Sequence, residues 1–174
     1  MYKRIIAFDL GDVWIGMAHT DLLQTIAIPF ATWKAEEFEK KFVLYTGAKH
    51  AIGVSSGTDA LLSIFMSLGL QQGDEVIVTP YTFIASITSI VRAGLKPVFV
   101  DLEKDSFHPS TEKILNAWTE KTKAVLFVHL FGECKETSQL KEICDARGAF
   151  LIEDCAQSFG SRYLDGSHVG TIGH

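Results

Sequence analysis

The chain has no pair of cysteines at metal-binding or redox spacing. Its three, Cys134, Cys144 and Cys155, are an odd number without a Cys-x-x-Cys step. That argues against a disulfide framework or a cysteine metal site, and it fits a reduced, cytoplasmic compartment. Basic charge is not in excess: 16 Lys and Arg against 21 Asp and Glu give a net charge of −5. A broad nucleic-acid footprint is therefore not expected, and the scattered acids read as a solvated face. Long apolar runs are missing too. The longest uncharged stretch, Val76–Val91, has 16 residues and contains Pro80, too short and too broken for a membrane span. Asp9 and Asp12 interrupt the opening where a signal peptide needs an unbroken apolar core. His108, His129 and Asp154 do not share a metal-ligand spacing, so no metal site is expected.

What is present is 47% hydrophobic residues and 11% aromatics, enough for a soluble domain with a sizeable core. Ala35–Tyr45 places Phe38, Phe42 and Tyr45 at helical spacing, with acids early, lysines later and Gly47 as a stop. Strand-like segments then recur at Ala51–Val54, Glu75–Thr79, Pro97–Asp101, Ala124–His129 and Phe150–Asp154. Helical stretches fall between them at Thr58–Leu68, Phe83–Ala93, Thr111–Glu120 and Glu136–Ala146. This rhythm suits parallel strands joined by right-handed helical crossovers. Val76-Ile-Val78 and Val125-Leu-Phe-Val128 are continuously apolar, as strands covered on both faces should be. The fold class is α/β with a parallel sheet.

Three stretches carry candidate chemistry. Phe150-Leu-Ile-Glu-Asp-Cys-Ala-Gln157 is an apolar strand ending in two acids, at the carboxyl rim where open α/β sheets hold ligands. Asp154 there is either a ligand-facing carboxylate or a cap for the following turn. Ser55-Ser-Gly-Thr-Asp-Ala-Leu61 opens a helix whose free amides suit a phosphate, with Gly57 allowing close approach and Thr58 adding a hydroxyl. The alternative is plain capping by Ser55 or Ser56. No lysine follows Gly57 in the P-loop pattern, so a nucleoside triphosphate is not implied. Thr79-Pro-Tyr-Thr-Phe-Ile-Ala85 sets aromatics just beyond a strand that Pro80 stops, and Phe83 is either a ligand-stacking ring or core.

Taken together, these stretches resemble the pyridoxal-phosphate sugar aminotransferases of the DegT/StrS family over residues 35–174. The resemblance implies the large domain of a fold-type-I pyridoxal-phosphate transferase. In it Asp154 would hold the protonated ring nitrogen, Gln157 the ring's phenolic oxygen, Phe83 the ring face, and Gly57 with Thr58 the phosphate. His129, in Val128-His-Leu-Phe-Gly132, matches a family motif without an assignable role. Gly160–Gly173 resembles a Gly-turned hairpin leading toward the family's Schiff-base lysine. Relatives move an amino group from an amino acid to a nucleotide-linked keto sugar, and a homodimer is expected. The last lysine here, Lys141, precedes Asp154. The expectation is thus a truncated, catalytically incomplete domain with weak or absent cofactor binding. The alternative is a non-catalytic cofactor-binding or interaction module. The family's strand order puts the third strand at one edge, then the second, fourth and fifth, leaving Ala51–Val54 without neighbours and Phe150–Asp154 at an open edge.

Residues 1–33 read differently. Lys3–Phe8 and Trp14–His19 are expected to form two strands about the turn Asp9-Leu-Gly-Asp12. The stretch Phe8–Asp21 resembles the opening of YqgF-like, ribonuclease-H-fold Holliday-junction resolvases, in which an acid at the position of Asp9 helps hold a metal. Trp14 replaces that family's usual basic residue, and its later acids have no counterpart. One carboxylate is too few for a catalytic metal. A shaped turn, or a nuclease remnant without activity, is the expectation for a 1–33 segment joined to the 34–174 domain.

Overall fold

The computed structural model describes the backbone of residues 6–10, 14–20 and 27–34 and the whole of the chain beyond that point. It divides into two compact units, Met1–Ser56 and Gly57–His174. In the first, β1 (Ile6–Leu10), β2 (Trp14–Thr20) and β3 (Ala27–Lys34) form an antiparallel sheet in that order. Asp9 and Leu10 of the expected turn belong to β1, and residues 11 and 12 lie outside the described residues. β3 has no counterpart among the expected strands, and it carries Pro29. An edge strand tolerates a proline, and β3 is an edge. The register slips beside it, Met17 facing Ala31 but Ala18 facing Pro29, which leaves Phe30 as the extra residue of a bulge.

Helix α1 (Ala35–Thr46) follows with Glu36 and Glu37 in its first turn. It stops at Gly47, whose φ of 78° is left-handed and whose amide donates to the Val43 carbonyl at 2.9 Å. The strand expected at Ala51–Val54 is not formed. Among the described residues no strand lies beside it, Ile52 is 83% exposed, and the Gly53 amide donates to Glu39 Oε1 at 2.7 Å. Strand propensity without a neighbouring ladder does not make a strand.

The second unit is the parallel α/β sheet. Strands β4 (Glu75–Val78), β5 (Lys96–Phe99), β6 (Thr122–Val128) and β7 (Phe150–Asp154) run parallel in the order β5-β4-β6-β7. This is the third–second–fourth–fifth order that the resemblance implies. Helices α2 (Gly57–Ser67), α3 (Ile84–Arg92), α4 (Thr111–Asn116) and α5 (Ser138–Ala146) join them. Alternate strand residues feed two cores. Val76, Val78, Leu126, Val128 and Ile152 pack with Leu61 and Phe65 of α2 and Ile90 of α3. Ile77, Val125, Phe127 and Leu151 pack with Ile114 of α4 and Leu140 and Cys144 of α5. Both faces are covered, hence the unbroken apolar runs.

Helix α4 stops at Asn116 rather than running to Glu120. The Thr119 hydroxyl donates to buried Glu75 at 2.5 Å, and the Thr119 amide donates to Thr122 Oγ1, which turns the chain into β6. The start of α4 is capped by Ser110, whose hydroxyl accepts from the Lys113 amide at 3.3 Å. Ser110→Ala is expected to cost about 0.5–2 kcal/mol, read as a lower urea midpoint; an unchanged midpoint would count against the cap. The outer edge of β7 is not bare: the His174 amide donates to the Leu151 carbonyl, and the Leu151 amide donates to His174 Nδ1, both at 2.9 Å. No helix among the described residues is long and apolar enough to cross a membrane.

Candidate active site

The carboxyl ends of β4, β6 and β7 and the first turn of α2 carry the sequence-predicted residues. Helix α3 connects two of them. Its buried face holds Ser86 and Ser89, three residues and about 4.5 Å apart along the axis. Ser86 Oγ lies 3.5 Å from Asp154 Oδ2 and 2.9 Å from Thr82 Oγ1, and Ser89 Oγ donates to the Thr58 carbonyl at 3.3 Å. The Asp154 end of β7 and the first turn of α2 therefore meet on one helix face. The other Asp154 oxygen accepts from the Ala156 amide at 3.1 Å, so this side chain caps the turn and also faces α3.

Phe83 is the N-cap of α3 and 69% exposed, so it is not a core residue. Gly57 opens α2, and a Cβ built on it meets no atom within 4 Å apart from its chain neighbours and its own helix. Gln157 is exposed and accepts from the Phe131 amide at 3.1 Å through Oε1. Its NH2 is then the end left to face a ligand. Phe131 itself takes φ 56°, a left-handed conformation uncommon for a bulky residue.

Sequence reasoning missed two features. Tyr81, Phe107 and Phe131, each at least 41% exposed, form an aromatic corner with ring centroids 4.8–6.4 Å apart. They come from three separate loops, and only their common position past strand ends signals them. The second feature lies behind Asp154. The Glu153 side chain is 2% exposed, yet charged. Its Oε1 accepts from His129 Nε2 at 3.1 Å, from Thr137 Oγ1 at 2.8 Å and from the Tyr163 hydroxyl. Its Oε2 accepts from the amides of Ile172 at 3.1 Å and Gly173 at 2.8 Å. Burial alone would raise the carboxyl pKa, but the bonds from His129, Tyr163, Gly173 and Thr137 outweigh it and hold the group at about 2. Burial pushes the Tyr163 hydroxyl the other way, above its ordinary 10, aided by the bond to Glu153.

The hairpin that contributes Tyr163 is minimal, a single bridge between Arg162 and His168 turning at Gly166. Beyond it Gly170 is required twice over, by a φ of 83° and because a Cβ would sit 2.8 Å from Cys155 Sγ. Burial, then the Glu153 charge, pushes the Cys155 thiol up to about 12, which disfavours the thiolate. No cluster of three or more His, Cys, Asp or Glu among the described residues is placed to hold a metal.

Residues 25–174 match the model of the DegT/DnrJ/EryC1/StrS aminotransferase family. The match begins upstream of Lys34 and takes in β3. A GDP-perosamine synthase of Vibrio cholerae is 42% identical over 138 residues, 79% of this chain and 37% of that protein. A dTDP-3-amino-3,4,6-trideoxy-alpha-D-glucose transaminase of Micromonospora megalomicea subsp. nigra is 35% identical over 158 residues, 87% of this chain and 42% of that one. Among solved structures, S. venezuelae DesV in complex with a ketimine intermediate superposes with a TM-score of 0.75 at 39% identity, over 79% of this chain and 37% of that chain. The Bacillus subtilis protein solved as ntda with bound cofactor PMP gives 0.71 at 34% identity, over 76% and 31%. The chain thus spans about 37% of the length of the first curated relative.

Proposed function

The chain belongs to the DegT/DnrJ/EryC1/StrS aminotransferase family, and we propose that residues 57–174 form the pyridoxal-phosphate cradle of an aminotransferase for nucleotide-linked keto sugars. The residues fit that cofactor. The observation that carries the reading is α3, which ties the Asp154 carboxylate and the start of α2 to one face through Ser86 and Ser89. When bound, pyridoxal phosphate supplies an electron sink for the carbon that exchanges its amino group. Asp154 is an acceptor for the protonated ring nitrogen and keeps that proton in place. Ser86 and the Ala156 amide orient the carboxylate. The α2 amides and the Thr58 hydroxyl take the phosphate, with Gly57 leaving room for it. Gln157, its oxygen engaged by Phe131, offers its NH2 to the ring's phenolic oxygen. Phe83 covers one ring face.

Lys141 is the last lysine of the sequence and precedes Asp154. By family register the Schiff-base lysine is not among these 174 residues, and they are catalytically incomplete by themselves. The exposed corner of Tyr81, Phe107 and Phe131 favours a second reading, a cofactor-binding module that uses this face for association, a homodimer included. The three free cysteines support a reduced, cytoplasmic setting.

Titration with pyridoxal phosphate, followed by absorbance, tests the cradle. A charge-assisted bond of about 1.5–3 kcal/mol corresponds to roughly 10–150-fold weaker binding in Asp154→Asn. Borohydride reduction and proteolysis should then find scattered surface lysines and no single stoichiometric adduct. Equal affinity in wild type and Asp154→Asn would sink the cradle, and one fully labelled lysine would overturn the incompleteness.

A further inference from the structure

His129 holds two consecutive residues of β7. Its backbone amide donates to the Asp154 carbonyl at 3.0 Å, while its ring Nε2 contacts Glu153 Oε1 at 3.1 Å. The Lys135 amide donates to His129 Nδ1 at 3.3 Å, which makes Nδ1 the acceptor and assigns the ring hydrogen to Nε2. Both the ring and the Glu153 side chain are essentially inaccessible to water. Glu153 and Asp154, as neighbours in a strand, point to opposite faces. Glu153 faces Thr137 at the start of α5 and Tyr163, and Asp154 faces Ser86 of α3. Five donors from four segments thus converge on the residue behind the candidate cofactor carboxylate.

We propose that Glu153 is a positioning residue which, through His129, clamps the end of β7 and so aims the Asp154 carboxylate into the cradle. The inference rests on the reading of the site as a cofactor cradle. The clamp needs an acceptor-only group. All five partners donate; a backbone amide cannot reverse its role, and the His129 Nε2–H can do so only by a tautomer change that sets Nδ1–H against the Lys135 amide. A glutamine at this position therefore has to turn its NH2 toward one set of donors. Turned toward Ile172 and Gly173 it opposes two fixed donors. Turned toward the other set it opposes only His129, because the Thr137 and Tyr163 hydroxyls rotate to accept. Glu153→Gln is accordingly expected to keep the Ile172–Gly173 contacts and break the one to His129.

Amide hydrogen exchange on the full chain, without cofactor, reads this directly. In Glu153→Gln the His129 and Ala156 amides, which bond Asp154, should exchange at least about tenfold faster, while the Gly173 and β4 amides keep their protection. Faster exchange at Gly173 with His129 and Ala156 unchanged would show that Glu153 only ties down the tail, and would overturn the proposal. If Glu153→Gln does not fold, Tyr163→Phe removes one donor to Oε1 and leaves the carboxylate. It should loosen His129 and Ala156 ahead of Gly173, and the reverse order would overturn the proposal. A cofactor titration supplies the second arm. Glu153→Gln should weaken pyridoxal-phosphate binding about tenfold in the wild-type background and leave Asp154→Asn no weaker, since a positioning effect needs the group it positions. Additive losses would refute the positioning role, whereas an Asp154→Asn protein that binds like wild type would refute the cradle itself.

Discussion

Leu151→Ala is expected to destabilise the 57–174 unit by about 3–5 kcal/mol, in the upper part of the range for buried leucine truncation. Leu151 is fully buried on β7, among Ile77, Val100, Ile114, Val125, Phe127, Leu140 and Cys144. Its strand is hydrogen-bonded to β6 along its length, and its own backbone groups bond His174. The wall around the lost side chain is therefore sheet and two helices, which relax little into a cavity. Against a typical total of about 5–15 kcal/mol for a domain, that loss leaves the fold marginal. The measurement is the urea midpoint at unchanged slope, with Leu164→Ala as control. Leu164 is fully exposed, and its truncation should change stability by less than about 0.5 kcal/mol. A Leu151→Ala shift worth under about 1 kcal/mol would mean that β7 is not packed as described.

Leu151 also shows what the sequence made legible. Phe150–Asp154 is an apolar run ending in acids, and such a run is unambiguous when a strand is covered on both faces. Strand order was not readable from periodicity and came from family resemblance. The same local logic misread Ala51–Val54, because pairing is non-local and the Gly53 amide goes to Glu39 instead. It ran α4 too far because Thr119 is compatible with a helix until its hydroxyl finds Glu75, 44 residues away in sequence. Asp154 was legible as a carboxylate at a strand end and Phe83 as an aromatic beyond one, and they lie at the end of β7 and, exposed, at the start of α3. The network around Glu153 was not legible. Two of its five donors are backbone amides, which leave no residue-type signature, and the others lie 24, 16 and 10 residues away.

That buried carboxylate sets the expected response to acid. The folded Glu153 titrates at about 2 against an ordinary 4.5, so between these values the unfolded chain binds a proton that the folded chain refuses. The stabilisation is fully present above about 4.5, drains away as pH falls and is exhausted near 2. A gap of about 2.5 units corresponds to roughly 3 kcal/mol. Glu75, buried under the hydrogen bonds of Thr119 and Lys96, is lowered too, and so are the exposed Asp145, Asp165 and Glu103, whose leading causes are side-chain hydrogen bonds from Lys141, Ser167 and Ser110 respectively. The exposed three are screened by solvent, and the contribution of all four is common to wild type and Glu153→Gln. Tyr163 acts on the opposite limb: burial and the Glu153 bond raise it above 10, so its stabilisation is lost only as pH rises beyond that value. Unfolding free energies at pH 5, 4, 3 and 2 should fall steeply in wild type and distinctly less in Glu153→Gln, which has no carboxyl to titrate there. Parallel pH profiles for the two proteins would show that Glu153 is not held as an anion by its five donors.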